Sequence, residues 1–264
     1  MAPKASHRVK FDRAKEHLNE LNARLNVWRK EDANALFAEI DPTNANYQIV
    51  YFNNAEIPLE RFSPLIGDAA QNFRASLDHL VFDLGLSYSG TLKKQERTDS
   101  KFPIVLSKEQ FTTAKGKALS AVSPEACAVI EGLQPYNTDH PVIGSRGDYL
   151  WQLHKLAIAD KHHSLSVVAA MIANWVMNPP NVVLDPNEVV FMIGPIPEGR
   201  APVARLPRFP EARDGEVKMD VKGALSIAFK RAPFPQTGTT VTETLFNIGL
   251  YLDRVVFPPL EALL

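Results

Sequence analysis

The chain has 264 residues, 45% of them hydrophobic and 22% charged, the make-up of a globular protein with enough apolar side chain for a substantial core. Its 29 basic and 30 acidic residues leave a formal net charge of −1, so no global field draws it to nucleic acid or to an anionic membrane. One cysteine, Cys127, excludes an intramolecular disulfide and a multi-cysteine zinc site. No run approaches the ~18 apolar residues of a membrane span, and the expected location is cytoplasmic.

Residues 7 to 31 carry the pattern of an amphipathic helix, with Val9, Leu18, Leu21, Leu25 and Trp28 on the apolar side and Ser6 as N-cap. Leu36–Ile40 and Tyr47–Phe52 are strand-like. Asp41-Pro42-Thr43-Asn44 forms the turn between them, and Asn53-Asn54 marks the next turn. The strongest periodic signal follows, from Pro58 to just before Gly90. There Phe62, Leu65, Ile66, Ala69, Phe73, Leu77, Leu80, Val81 and Leu84 recur every three or four residues. Lys93 to Lys101 is expected as a charged linker and Phe102-Pro103-Ile104 as an extended segment. Shorter helices are expected over Lys108 to Leu119 and Pro124 to Leu133, the second capped by Ser123, with Cys127 in its core face.

A further helix is expected from Asp148 to Asp160 or Lys161, with Asp148 favouring its start. Beyond it the segments are short, β-branched and interrupted by Pro and Gly. Leu165–Val176, Val182–Leu184, Val189–Ile193, Val203–Leu206, Glu216–Val221 and Ala224–Phe229 are expected as antiparallel strands. Pro195, Pro197, Pro202, Pro207 and Pro210 mark loops and edges. The chain closes on a helix using Val241, Leu245, Ile248, Leu252 and Val255. The fold class is therefore α+β in a single domain: a helical part over about 1–163, a strand-rich part over about 164–235, and a C-terminal helix over about 242–258 that packs with the first.

Two clusters carry ionisable groups into segments patterned for burial. The first lies on the second long helix. At about 100° per residue, Asp68, Asn72, His79 and Asp83 fall in a band beside the apolar stripe. Arg74 and Asp78 fall on the other side, four apart, where they pair as a surface ion pair worth ~0.2–0.5 kcal/mol. A carboxylate beside His79 would fix its tautomer and raise its pKa, as general acid/base work or metal ligation requires. The second cluster is Asp160-Lys161-His162-His163, after the nearly apolar turn containing Leu150, Leu153, Leu156 and Ala157. A buried Asp and Lys there are costly unless paired. His162 and His163, at the start of an extended segment, point to opposite faces, so one of them at most joins a shared site. His154 lies within or beside the apolar arc.

With these elements the chain resembles a family of bacterial proteins that carry Arg-x-x-Leu-Asp-His on one helix and Asp-Lys-His-(His/Arg) after a Leu-rich helix. The residues concerned are Arg74, Leu77, Asp78 and His79, then Asp160, Lys161 and His162. Phe102-Pro103-Ile104 and Leu133-Gln134-Pro135-Tyr136 belong to the same pattern, so the likeness covers roughly residues 60 to 170. It implies a shared architecture and no particular reaction. A mechanistic likeness is to the Arg-x4–6-His element of HEPN domains, helical and often dimeric modules that include metal-independent ribonucleases. It would make Arg74 the phosphate holder and His79 the acid/base, and it implies a homodimer. Ala75 after the arginine and the extensive strand region depart from that family.

The leading expectation is a polar node, a small-ligand site, bound by Asn72, Asp78, Asp160, Lys161 and His162. The HEPN-like ribonuclease using Arg74 and His79 stands second. A metal-dependent hydrolase using His79, His154, His162 or His163 with Asp78 or Asp160 stands third, without supporting ligand spacing. No phosphate loop or Gly-x-Ser-x-Gly element occurs, and the sequence assigns no cofactor. All of these readings need the second long helix and the helix before Asp160 to be neighbours.

Overall fold

The computed structural model describes residues 5–31, 36–54, 59–137, 148–162, 167–177, 190–191, 199–207, 221–229 and 240–264. The fold is α+β, with antiparallel sheets and a closing helical segment. The chain divides into two compact units, each discontinuous in sequence: Met1–Leu21, Ser63–Leu165 and Thr242–Leu264 form a helical one, and Asn22–Phe62 with Ser166–Val241 form one that holds the strands. The sequential partition expected above is corrected here. Two strands from the N-terminal part join the sheet of the later ones, so the strand-rich unit is not confined to 164–235.

In the helical unit, α1 (Ser6–Glu31) buries His7, Phe11, Ala14, Leu18 and Leu21 at the three- and four-residue steps of one helix face. Val9 is off this face and 51% exposed, against expectation. Ser6 lies inside the helix, against its expected place as N-cap, and its hydroxyl donates to Asp83 at 3.1 Å.

The second helix, α2 (Leu59–Ser89), follows its periodicity closely and stops at Gly90, whose φ of 71° suits a residue without Cβ. The expected linker contains a short helix, α3 (Lys94–Asp99), started by Glu96, which accepts from the Lys93 amide at 2.7 Å. Phe102, Pro103 and Ile104 follow as a buried segment outside helix and strand. Ser107 caps α4 (Lys108–Ala118) and Ser123 caps α5 (Pro124–Gly132), and Cys127 is buried in α5, where loss of water pushes its thiol up. Asp148 caps α6 (Tyr149–His162), accepting from the Leu150 amide at 2.7 Å and the Trp151 amide at 3.3 Å.

The closing segment is α7 (Val241–Tyr251), a π-helical turn (Leu252–Val256) and α8 (Phe257–Glu261). In the π turn the Phe257 amide donates to the Leu252 carbonyl, five residues back. Pro258 and Pro259 follow, neither with an amide to donate, so carbonyls of this turn lose their α-helical partners. The wider turn moves the buried position from Val255, 43% exposed, to Val256, which corrects the expected stripe. Gly249 on α7 lies so close to α2 that a Cβ there would sit 2.9 Å from Phe73 Cζ.

A seam of charge holds the first turn of α1. His7 is fully buried between two carboxylates, with Nδ1 at 3.2 Å from Asp83 and Nε2 at 2.7 Å from Glu261. Arg8 grips both oxygens of Glu261, at 2.5 and 2.7 Å, and also reaches Asp253. Its guanidinium lies 4.6 Å over the Phe257 ring, and Phe257 meets Phe11 edge-on at 5.2 Å. The first and last helices thus pack together.

In the other unit, β1 (Leu36–Ile40), β2 (Tyr47–Asn54), β5 (Gly199–Pro207) and β4 (Val190–Phe191) form one antiparallel sheet in that order. Asn53 and Asn54, expected in a turn, extend β2 and pair with Arg200 and Gly199. Pro202 pairs with Tyr51 at the irregularity after Val50. Asp41 closes the β1–β2 turn by accepting from the Thr43 hydroxyl at 2.6 Å and amide at 2.8 Å, bonds that, with Arg205, hold its carboxyl down to about 2. The strands β3 (Val167–Met177) and β6 (Val221–Phe229) form a separate antiparallel pair. Val182–Leu184 and most of Glu216–Val221 lie outside the described residues.

Candidate functional site

The apolar stripe of α2 turns Phe73, Leu77 and Leu80 into the core, and the helical repeat then sets Gln71, Arg74 and Asp78 along one flank. Gln71 Nε2 donates to the Ala157 carbonyl of α6 at 2.7 Å, so the two helices are neighbours. Arg74 and Asp78 pair at 3.0 Å, as their spacing predicts. The expected surface location is corrected: only 16% of the Arg74 side chain and 28% of the Asp78 side chain is exposed.

The reason is the extended segment that follows α3. Arg74 Nη2 donates to the Phe102 carbonyl at 2.5 Å, while Asp78 Oδ1 accepts from the Phe102 amide at 2.9 Å. The pair therefore reads both backbone groups of one residue. On the same segment Gln134, buried after α5, donates to the Pro103 carbonyl at 2.9 Å and accepts from the Val105 amide at 3.1 Å. Phe102-Pro103-Ile104, the residues around Gln134 and the Arg74–Asp78 pair, scattered in sequence, thus meet at a single stretch of chain.

Burial raises the Asp78 carboxyl against the pull of Arg74 and the Phe102 amide, and burial likewise pushes the Arg74 guanidinium below its ordinary range despite Asp78. Arg74 Nη1 is buried and has no hydrogen-bond partner, the one buried side-chain nitrogen or oxygen in this condition among the described residues. On α6, His154 stacks at a tilt on Trp151 with centroids 5.3 Å apart, and Lys155 lies 4.9 Å over the same indole. Burial first, then the charges of Arg74 and Lys155, bring the His154 imidazole down to about 4, so it is neutral at pH 7.

The remaining expected residues are distributed as follows. His79 is half-buried, one residue past Asp78 and close enough to act on its carboxyl. Asn72 donates to the Asp68 carbonyl of its own helix at 2.9 Å, and Asp83 is engaged with His7. The backbone of Asp160, Lys161 and His162 continues α6 and does not open a strand at His162; their side chains, and all of His163, lie outside the described residues. Among the described residues no group of three His, Cys, Asp or Glu side chains is placed to hold a metal ion.

Pattern reading passed over Gln71, His7 and Glu261. His7 was detectable, since it precedes Phe11, Ala14 and Leu18 on the same helical face. Elsewhere, in the strand-bearing unit, a groove of about 310 Å³ is lined by Ala23, Arg24, Val27, Trp28, Arg61 and Phe62, with Trp28 edge-on to Phe62.

Compared with known proteins, this chain matches no family model, no curated protein and no solved structure.

Proposed function

We propose that the chain is a small-ligand-binding protein, and that its site is the polar node built on Arg74 and Asp78 against α6. The observation that supports this reading is the bare Nη1 of Arg74. A charged N–H shut away from water without an acceptor costs about 1–3 kcal/mol or more, so an acceptor from outside the chain relieves a standing penalty. The groups around it are arranged to hold. Nη2 and both interacting atoms of Phe102 are satisfied within the protein, which fixes the guanidinium plane before anything binds. In this reading His79, next to Asp78 on α2, acts on the node's carboxyl.

Thermal unfolding with and without a panel of small polar compounds, acetate, inorganic phosphate and acetamide among them, tests the reading. At least one compound is expected to raise Tm in the native chain and to leave Arg74→Met unchanged. A panel that shifts nothing, joined to an Arg74→Met protein as stable as the parent, overturns it. RNA cleavage in EDTA that vanishes in His79→Ala would replace it with the ribonuclease reading.

A further inference from the structure

We infer that the group taken up by this node is a small oxyanion, a carboxylate or phosphate oxygen that receives the hydrogens of Arg74 Nη1. The inference rests on the binding-site reading above and names its ligand class. Nη1 only donates, so its partner must accept, which leaves a neutral carbonyl, a water or an anion. The surrounding charge selects among them. Arg74 and Lys155 act on His154, and Arg74 and Lys101 act on Asp78. Among the described residues the permanent cations Arg74 and Lys101 therefore act on one carboxylate, Asp78, which burial also raises, and Lys155 adds a third positive charge at His154. A neutral occupant leaves this surplus uncompensated, whereas an anionic oxygen answers it in a medium where charge is poorly screened.

The grip is one-ended. Because Nη2 is committed to Asp78 and Phe102, the two-pronged clasp that arginine offers a carboxylate is not available, and a compact ligand suits it better than an extended one. His154, neutral when the node is empty, adds no repulsion of its own. It faces Arg74 from α2 and Lys155 from its own helix, and an arriving anion opposes both of their effects. Binding therefore moves the His154 titration upward.

The test is isothermal titration calorimetry of the full chain at fixed ionic strength with sodium acetate, inorganic phosphate and acetamide, the last being the neutral counterpart of acetate. Acetate or phosphate is expected to bind at one site at least about tenfold more tightly than acetamide, and the stronger of the two identifies the oxyanion. Lys101→Glu and Lys155→Glu alter exposed side chains, and each is expected to weaken the anion about threefold or more. The His154 imidazole signal in NMR should titrate at higher pH with the anion present. Acetamide binding as tightly as acetate, or indifference to both lysine substitutions, overturns the oxyanion inference and leaves the binding site standing. If all three probes fail to bind, both fall, and Nη1 donates to water.

Discussion

Arg74 is a cation held mostly out of water beside a carboxylate whose pKa burial raises. In such a pair removing one member costs more than removing both, because the survivor is left buried and uncompensated. Asp78→Asn is therefore expected to destabilise the chain by about 3 kcal/mol, read from urea unfolding, while the double change Arg74→Met with Asp78→Leu recovers much of that loss. A double change as damaging as the single one would show that the pair contributes net stability. The pair itself was legible from its spacing of four. Its burial was not, because the group that covers it, Phe102, belongs to a segment with no periodicity and is reached only through tertiary contact.

Elements were most legible where apolar periodicity ran long. The second helix, the Ser123 cap and the Asp148 cap stand where hydrophobic phase and capping chemistry put them. Val255 misled because a constant 3.6-residue phase was carried through a turn that departs from it, and α3 was missed because its six residues bury nothing. Close packing between elements yields a separate prediction. Gly249→Ala gains up to about 1 kcal/mol of helix propensity but drives a methyl group into Phe73, and overpacking costs about 1–3 kcal/mol. A net loss of stability is expected in urea unfolding, relieved by Phe73→Leu on the same background. Gly249→Ala as stable as the parent would mean that α7 and α2 are free to separate slightly.

For the whole molecule the charged seam at α1 sets a pH window. Burial works against protonation of His7, but its bonds to Asp83 and Glu261 prevail and raise its pKa above 6.5. Its contribution to stability is therefore complete below 6.5 and fades as pH rises through the folded value. Arg8 first, with His7, holds Glu261 down to about 2 from 4.5. That contribution is complete above 4.5 and fades as pH falls toward 2. The seam should be strongest between these limits, and a pH series of urea unfolding should show His7→Gln losing the alkaline decline in particular. An unchanged decline would assign it to other groups. The division into two units was the least legible feature, since pairing of β2 with β5 spans some 150 residues and no local pattern announces a partner that distant.

The π turn at Leu252–Val256 also acts as a phase setting for the end of the chain. It is equivalent to one residue slipped into an otherwise ordinary α-helix, and each residue of such a helix advances its direction by about 100°. Excising the exposed Val255 would remove that extra residue and let the turn tighten, so Glu261 would keep the face that meets His7 and Arg8. Its carboxylate would still be held down to about 2, which carbon-detected NMR can follow directly.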